Sequence, residues 1–418
     1  MTLRQLLFTA FFCLMTLCSC TTTQNPHANQ NLLQETWMRS INLNPMLWTN
    51  GADRWFFTGE PNTTERDARL APHDKAISIT AVNVPQFTNI NLHGCFQVQI
   101  AGGQPTNSVF ILGPNEATRQ ISVEVHGDTV LVSQFDDPKK GMANLKNVIV
   151  RIGVRNLHHL KVSGSVNVEG RMLSSNGMII DAYNQGNVLL DGHINLLKVN
   201  NTGSGCVSIL NAYTPCLNII NRGSGTVNVS GRVGIRTISN LTNGAVHVIG
   251  ADSRSLLINA CGDSRTSVAG YADLKRLSAT GNACVHLYWV NSRATSVFLN
   301  KNARVGLAGC VGNLDLTVTD NARFGGQYLH ASHVYVQTGR NGHANVAGSR
   351  RIFASATDTS SIYYFGSPNN VSRNTSDKGI IIPVWSATPS VLPAPAYAPL
   401  FMTSINRPPP GSVKVYHQ

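Results

Sequence analysis

Charge is scarce in this chain. Asp, Glu, Lys and Arg make up 13% of its 418 residues, so its surface must be built mostly from Asn, Ser, Thr and Gly. Within the repeats described below the acids stand singly, and no Asp-x-Asp or Glu-x-Asp pair lines up between them. A solenoid-type polysaccharide lyase needs a calcium cluster of acids with a nearby Arg or Lys, and that pattern is missing. No His-x-x-x-His spacing offers a metal pair, and no Gly-rich phosphate loop or serine nucleophile elbow occurs. A glycosidase needs two carboxylates about 5–9.5 Å apart. Asp252 with Asp273 and Asp315 with Asp320 are the candidates in neighbouring repeats, but turn aspartates are commonplace. His158 and His159 form an isolated pair, expected at the surface of a strand edge. No residue is assigned a catalytic, metal-ligating or cofactor-binding role. Helical periodicity is also lacking: apolar residues recur at intervals of two, with glycine and β-branched residues inside each unit.

What is present is a repeat. From Val166 the pattern apolar-x-apolar-x-Gly returns about every twenty residues, as in Val188-Leu189-Leu190-Asp191-Gly192 and Val227-Asn228-Val229-Ser230-Gly231. The first apolar positions are 166, 188, 207, 227, 246, 266, 285, 305, 324, 344 and 362. A second strand precedes each, with its apolar position eight residues upstream, as at Ile180, Val199, Ile219, Ile238, Ile258, Leu277, Val297, Leu316 and Val336. A fixed period of this length means stacked units that cannot bury their apolar faces alone. The pattern predicts an all-β parallel β-solenoid of about eleven regular coils of ~20 residues, with no room for an internal ligand. An antiparallel meander would give a period nearer ten. A small residue closes the turn between the strands, at Gly164, Gly186, Gly205, Gly225, Gly244, Ala283, Ala303, Ala322 and Gly342. Glycine there is expected to supply a positive φ. Asn243, Asn282, Asn302, Asn321 and Asn341 sit just before it, spaced for an amide ladder along the axis.

Residues 1–20 read as an export signal. Arg4 is followed by an apolar stretch, and Leu17-Cys18-Ser19-Cys20 resembles the lipobox of bacterial lipoproteins, with Cys20 as the lipid-attachment site. Thr21 after that cysteine favours the outer membrane by resemblance to enterobacterial sorting, while periplasmic and outward-facing orientations stay open. Residues 21–81 are expected to be a tether and an aromatic-rich cap, in which Trp37, Trp48, Trp55, Phe56 and Phe57 pack on an end of the solenoid or meet a partner. Residues 82–156 alternate less regularly and read as wider opening coils of the same solenoid, with a tight turn at Gly127-Asp128. The solenoid is bounded at 82–367, and residues 368–418 form a proline-rich tail, within which Ile380 to Val384 can still pair on the last coil.

The stretch from Phe87 to Gly170 resembles the putative auto-transporter adhesin head family, often called the GIN domain. The residues that carry the likeness are Phe87, Ile90, Gly94, Phe96, Val98 and Ile100, then Asp128, Val130 and Val132. After them come Val148, Val150 and Ile152, and finally Leu160, Val162, Ser163, Gly164, Ser165 and Val168. The resemblance implies an exported parallel β-helical domain, often lipid-anchored, and brings no catalytic residues with it.

Lys and Arg exceed Asp and Glu by twelve, which favours anionic partners. One outward position is Arg265, Arg304, Arg323 and His343 in four later repeats, which would stack into a basic strip or simply keep the sheet soluble. Nucleic acid is not expected, since the chain is exported and shows no binding-fold signature. Cys95, Cys206, Cys216, Cys261, Cys284 and Cys310 are even in number, as disulfides would require. Their offsets within the repeat nevertheless differ, and Cys206 and Cys284, which share one, fall four coils apart, about 19 Å. Free thiols are expected. Three functions stay open: a lipid-anchored rod for adhesion or scaffolding, a module for anionic polysaccharide or a surface protein, and a lyase or glycosidase.

Overall fold

Alternating apolar residues make strands, and the twenty-residue period stacks them in parallel. In a computed structural model, residues 77–135 and 145–384 are described. Expectations for the signal segment with Cys20, for the aromatic segment and for the tail beyond 384 lie outside the described residues. The long strands are β9 (Asn167–Asn184), β10 (Val188–Asn201), β11 (Cys206–Asn221), β12 (Thr226–Asn240) and β13 (Ala245–Ala260). They continue as β14 (Arg265–Ala279), β15 (Cys284–Leu299), β16 (Arg304–Val318), β17 (Arg323–Thr338) and β18 (His343–Ala356). Each pairs in parallel with the next, one coil per repeat, so the domain is the expected β-solenoid. Val188, Val207, Val227, Val246, Thr266, Val285, Val305, Phe324 and Ala344 form one inward column in register, all 3% exposed or less. Ile180, Val199, Ile219, Ile238, Ile258, Leu277, Val297, Leu316 and Val336 form the facing column. The two columns meet in a continuous apolar core.

Two expectations need correction. Val188 pairs with Val168, not Val166, so the first regular step is twenty residues rather than twenty-two. Both valines alternate correctly, and register depends on which partner is closer, so the pattern alone picked the wrong one. The positive φ is also not at the small turn residue in most coils. It lies at the end of the motif, four residues after the first apolar position: Gly192 (149°), Gly231 (136°), Gly250 (79°), Gly270 (125°) and Gly309 (137°). There the chain bends away from the first strand. The small residues before the strand are small because coils touch there: a Cβ on Gly205 would lie 1.9 Å from the Gly186 carbonyl oxygen.

The amide ladder is present on the outside. Asn302 donates to Asn282 (2.9 Å), Asn321 to Asn302 (3.3 Å) and Asn341 to Asn321 (3.1 Å). A second ladder runs inside: Asn201 donates to Asn221 (3.0 Å) and Asn221 to Asn240 (3.2 Å), all fully buried.

The N-terminal end is less regular than a set of wider coils. Strands β2 (Asn89–Gly94) and β3 (Gln97–Ala101) form one coil, β6 (Thr129–Gln134) and β7 (Ile149–Gly153) another, and β8 (His159–Gly164) leads into β9. In space, β2 lies between β6 and β8, and β3 lies between β7 and β9. The later coil is therefore outermost. Antiparallel strands close its edges: β5 (Ile121–His126) pairs with β6 through the turn at Gly127, and β4 (Ser108–Pro114) pairs with β7 and with β1 (Ile77–Val82). The one-turn helix α1 (Asn115–Thr118) joins β4 to β5.

At the other end, β19 (Ser361–Phe365) and β20 (Asn370–Thr375) make the last coil, and β21 (Ile380–Val384) pairs on β19. The N–H of Ile380 points back to Ser360, which turns Ile381 and Pro383 towards the outer edge. Proline has no N–H to offer there. On β20, Arg373 takes the core register of Ala354 and lies over the Tyr364 ring, 5.2 Å from its centroid.

Candidate functional site

The repeat brings one outward column together. Arg265, Cys284, Arg304, Arg323 and His343 are consecutive in register, each the first residue of its strand. The three arginines are exposed, and His343 is partly so. Adjacent coils are about 4.8 Å apart, so Arg304 and Arg323 stand side by side, with Arg265 two steps away. The strip expected from the sequence is therefore assembled; that Cys284 interrupts it went unnoticed, although the thiol shares the arginines' offset.

What distinguishes these arginines is that they share one register column. Some basic groups elsewhere are paired with acids: Arg232 with Asp252 (3.2 Å), Arg171 with Glu169 (2.7 Å) and Lys275 with Asp273 (2.8 Å). Among the described residues, Arg265, Arg304 and Arg323 form no ion pair or side-chain hydrogen bond. The nearest outward column carries Asp263 and the outer asparagine ladder, and Asp263 accepts from Asn282 (2.6 Å). The charges are felt locally. Burial, reinforced by Arg323, holds the His343 imidazole below its ordinary value, and its Nδ1 lies 2.7 Å from Ser361 Oγ. Burial pushes the Cys284 thiol up despite Arg304 and Arg265, so it stays protonated and is a poor nucleophile at neutral pH.

Beside the strip, the next outward column reads His247, Ser267, His286, Gly306, Gly325 and Asn345. His247 is 6% exposed and its Nδ1 lies 2.6 Å from Ser267 Oγ. Burial first, then Arg265, depresses its pKa to about 4. On the same strand as His286, Trp289 holds a φ of 61° at the corner where most coils place glycine. That is a strained position for a bulky residue, and no sequence pattern marks it.

Three of the four acids considered for glycosidase chemistry are held by cations. Asp252 is tied to Arg232 and Asp273 to Lys275. Asp320 is bound by Arg340 and by the Lys301 amide (3.0 Å), whereas Asp315 lies in register with Ser296 and Tyr335. His159 pairs with Asp181 (2.8 Å) at the start of β8. Among the described residues no group of three or more His, Cys, Asp or Glu is placed to hold a metal ion. Two small cavities, about 120 and 200 Å³, lie by the last coils and neither is lined by a carboxylate. The six described cysteines are free thiols, and the register puts Cys206 and Cys284 four coils apart. Among the described residues no helix is long and apolar enough to cross a membrane.

Comparison with known proteins gives one family. The model described as putative auto-transporter adhesin, head GIN domain, matches residues 86–275 and 235–368. Among solved structures, the chain is similar to a putative lipid binding protein from Parabacteroides distasonis, with 11% identity, a TM-score of 0.27, and coverage of 74% of this chain and 98% of that one. It is also similar to a putative adhesin from Bacteroides fragilis, with 16% identity, a TM-score of 0.25 and coverage of 74% and 98%. A putative adhesin from Parabacteroides merdae gives 13% identity, a TM-score of 0.21 and coverage of 74% and 97%. No curated protein matches the chain.

Proposed function

The chain belongs to the putative auto-transporter adhesin, head GIN domain family, and from that premise we propose that it is a non-enzymatic adhesin-type rod of the bacterial cell envelope. In this reading, Cys20 carries a lipid that holds the chain at the outer membrane, and the solenoid displays a long polar face. The partner is an anionic polysaccharide, bound along Arg265, Arg304, Arg323 and, at acid pH, His343. The observation that carries the reading is the line of three exposed arginines in one register column, none of which has a carboxylate partner among the described residues. Asp252 and Asp273 are each held by a cation, which favours binding over turnover.

The test is retention of the purified chain on immobilised polygalacturonate, with neutral dextran as control. The wild type should be held at low salt and released as ionic strength rises. The triple variant Arg265→Ser, Arg304→Ser, Arg323→Ser should elute with the dextran control. Equal retention of wild type and triple variant would end the reading. The anchor is tested separately by cell fractionation: Cys20→Ser should release the chain from the membrane fraction, and unchanged fractionation would refute lipidation.

A further inference from the structure

The basic strip is not uniform. Beside Arg304 and Arg323, the adjoining outward column loses its side chains, at Gly306 and Gly325. At one end the His286 ring leans over Gly306, where an added Cβ would lie 2.8 Å from the imidazole Cδ2. At Gly325, by contrast, the space is open: among the described residues a Cβ there would meet only the Val305 carbonyl oxygen, at 3.7 Å. Gly325 does not have a positive φ, so neither the backbone nor close packing calls for glycine there. The other end is closed by Asn345, next in register, whose Nδ2 donates to Gln327 Oε1 (3.4 Å). The result is a shallow notch with a bare backbone floor, a wall of two arginines and an amide pair at one end.

We infer that this notch is the specificity subsite of the strip, and that it seats one acidic sugar unit of a polysaccharide lying along the axis. The inference rests on the anionic-polymer reading above and deepens it. The bare floor admits the flat face of a pyranose ring. The Arg304 and Arg323 guanidiniums take its carboxylate, and Asn345 and Gln327 meet its hydroxyls. One coil rise of about 4.8 Å is close to one sugar unit along a polymer, so successive units would meet successive coils. A uniform basic face would attract any polyanion; a notch discriminates by shape.

Gly325→Val tests this directly. Valine suits an outward strand position, so the fold and thermal midpoint should be kept, while its side chain fills the notch. Affinity for polygalacturonate should fall about tenfold or more, and dextran sulfate serves as a polyanion of different shape. Asn345→Ala, which leaves the floor open, should weaken polygalacturonate binding less than Gly325→Val and leave the fold unchanged. If Gly325→Val binds polygalacturonate like wild type while Arg304→Ser/Arg323→Ser loses it, the notch is refuted and the strip stands. If Gly325→Val instead loses both polymers equally, the effect is not one of shape and the notch is likewise refuted. If wild type retains neither polymer at low salt, the anionic-polymer reading itself fails.

Discussion

Residues on the outer face of the first strand carry a pH dependence whose sign follows from burial. His247 has a folded pKa of about 4, depressed by desolvation and by Arg265, against 6.5 when unfolded. The folded state therefore resists taking a proton that the unfolded chain accepts readily. The stability this contributes is fully present above pH 6.5 and is lost as pH falls towards 4, by about 3 kcal/mol in total. Chemical denaturation between pH 4 and 7 should show the loss, and His247→Gln should lessen it, leaving the share of His286, whose pKa burial also lowers to about 4. An unchanged slope in the variant would mean that other groups set the acid limit. The same scale shows what the sequence hides. The buried asparagines at 201, 221 and 240 recur at the coil period, yet they occupy a column that other coils fill with Ala260, Ala279, Leu299 and Val318. A polar residue at an apolar position looks like a break in the pattern until its neighbours are seen to bond it. Trp289 at positive φ leaves no trace in the pattern at all.

At the scale of the element, most of the fold was legible because every coil repeats the same physical demand: two inward columns, a bend and a small turn. The basic strip was legible for the same reason, since one offset recurring at a fixed period must stack. The order of β6, β2 and β8 was not, because all three carry the same alternation, Val130 with Val132, Ile90 with Leu92, and Leu160 with Val162, and any two could pair by pattern alone. The subsite at Gly325 was also missed: glycine is so frequent here that one glycine without a backbone reason attracts no notice. Nearest-neighbour stacking makes a sharp prediction. Removing residues 285–304 joins Cys284 to Val305 and deletes one whole period, leaving β14 to pair with β16 in the same register. Circular dichroism should show the β-signal and a cooperative thermal transition retained. Removing 285–294, half a period, should abolish the transition. If both deletions behave alike, coils are not interchangeable units.

For the solenoid as a whole, the ends decide whether it stays single. The last coil exposes a parallel edge, and Pro383 and Arg373 blunt it: one withholds an N–H from the free side, the other puts a charge in the core column. Replacing both, Pro383→Val with Arg373→Leu, should make the chain self-associate with concentration in sedimentation velocity; a monomer at all concentrations would show that these residues do not guard the end. The opposite end has a different property, which bears on traction. In a stack laid down in chain order, a load on the N-terminal side would draw off the outermost coil, then the next, like thread from a spool. Here the first coil reached by such a load is gripped on both edges, β2 by β6 and β8, and β3 by β7 and β9. It cannot leave without sliding past two neighbours at once. The thread is tied off where the pull arrives, so the domain should bear tension as a block rather than unwind.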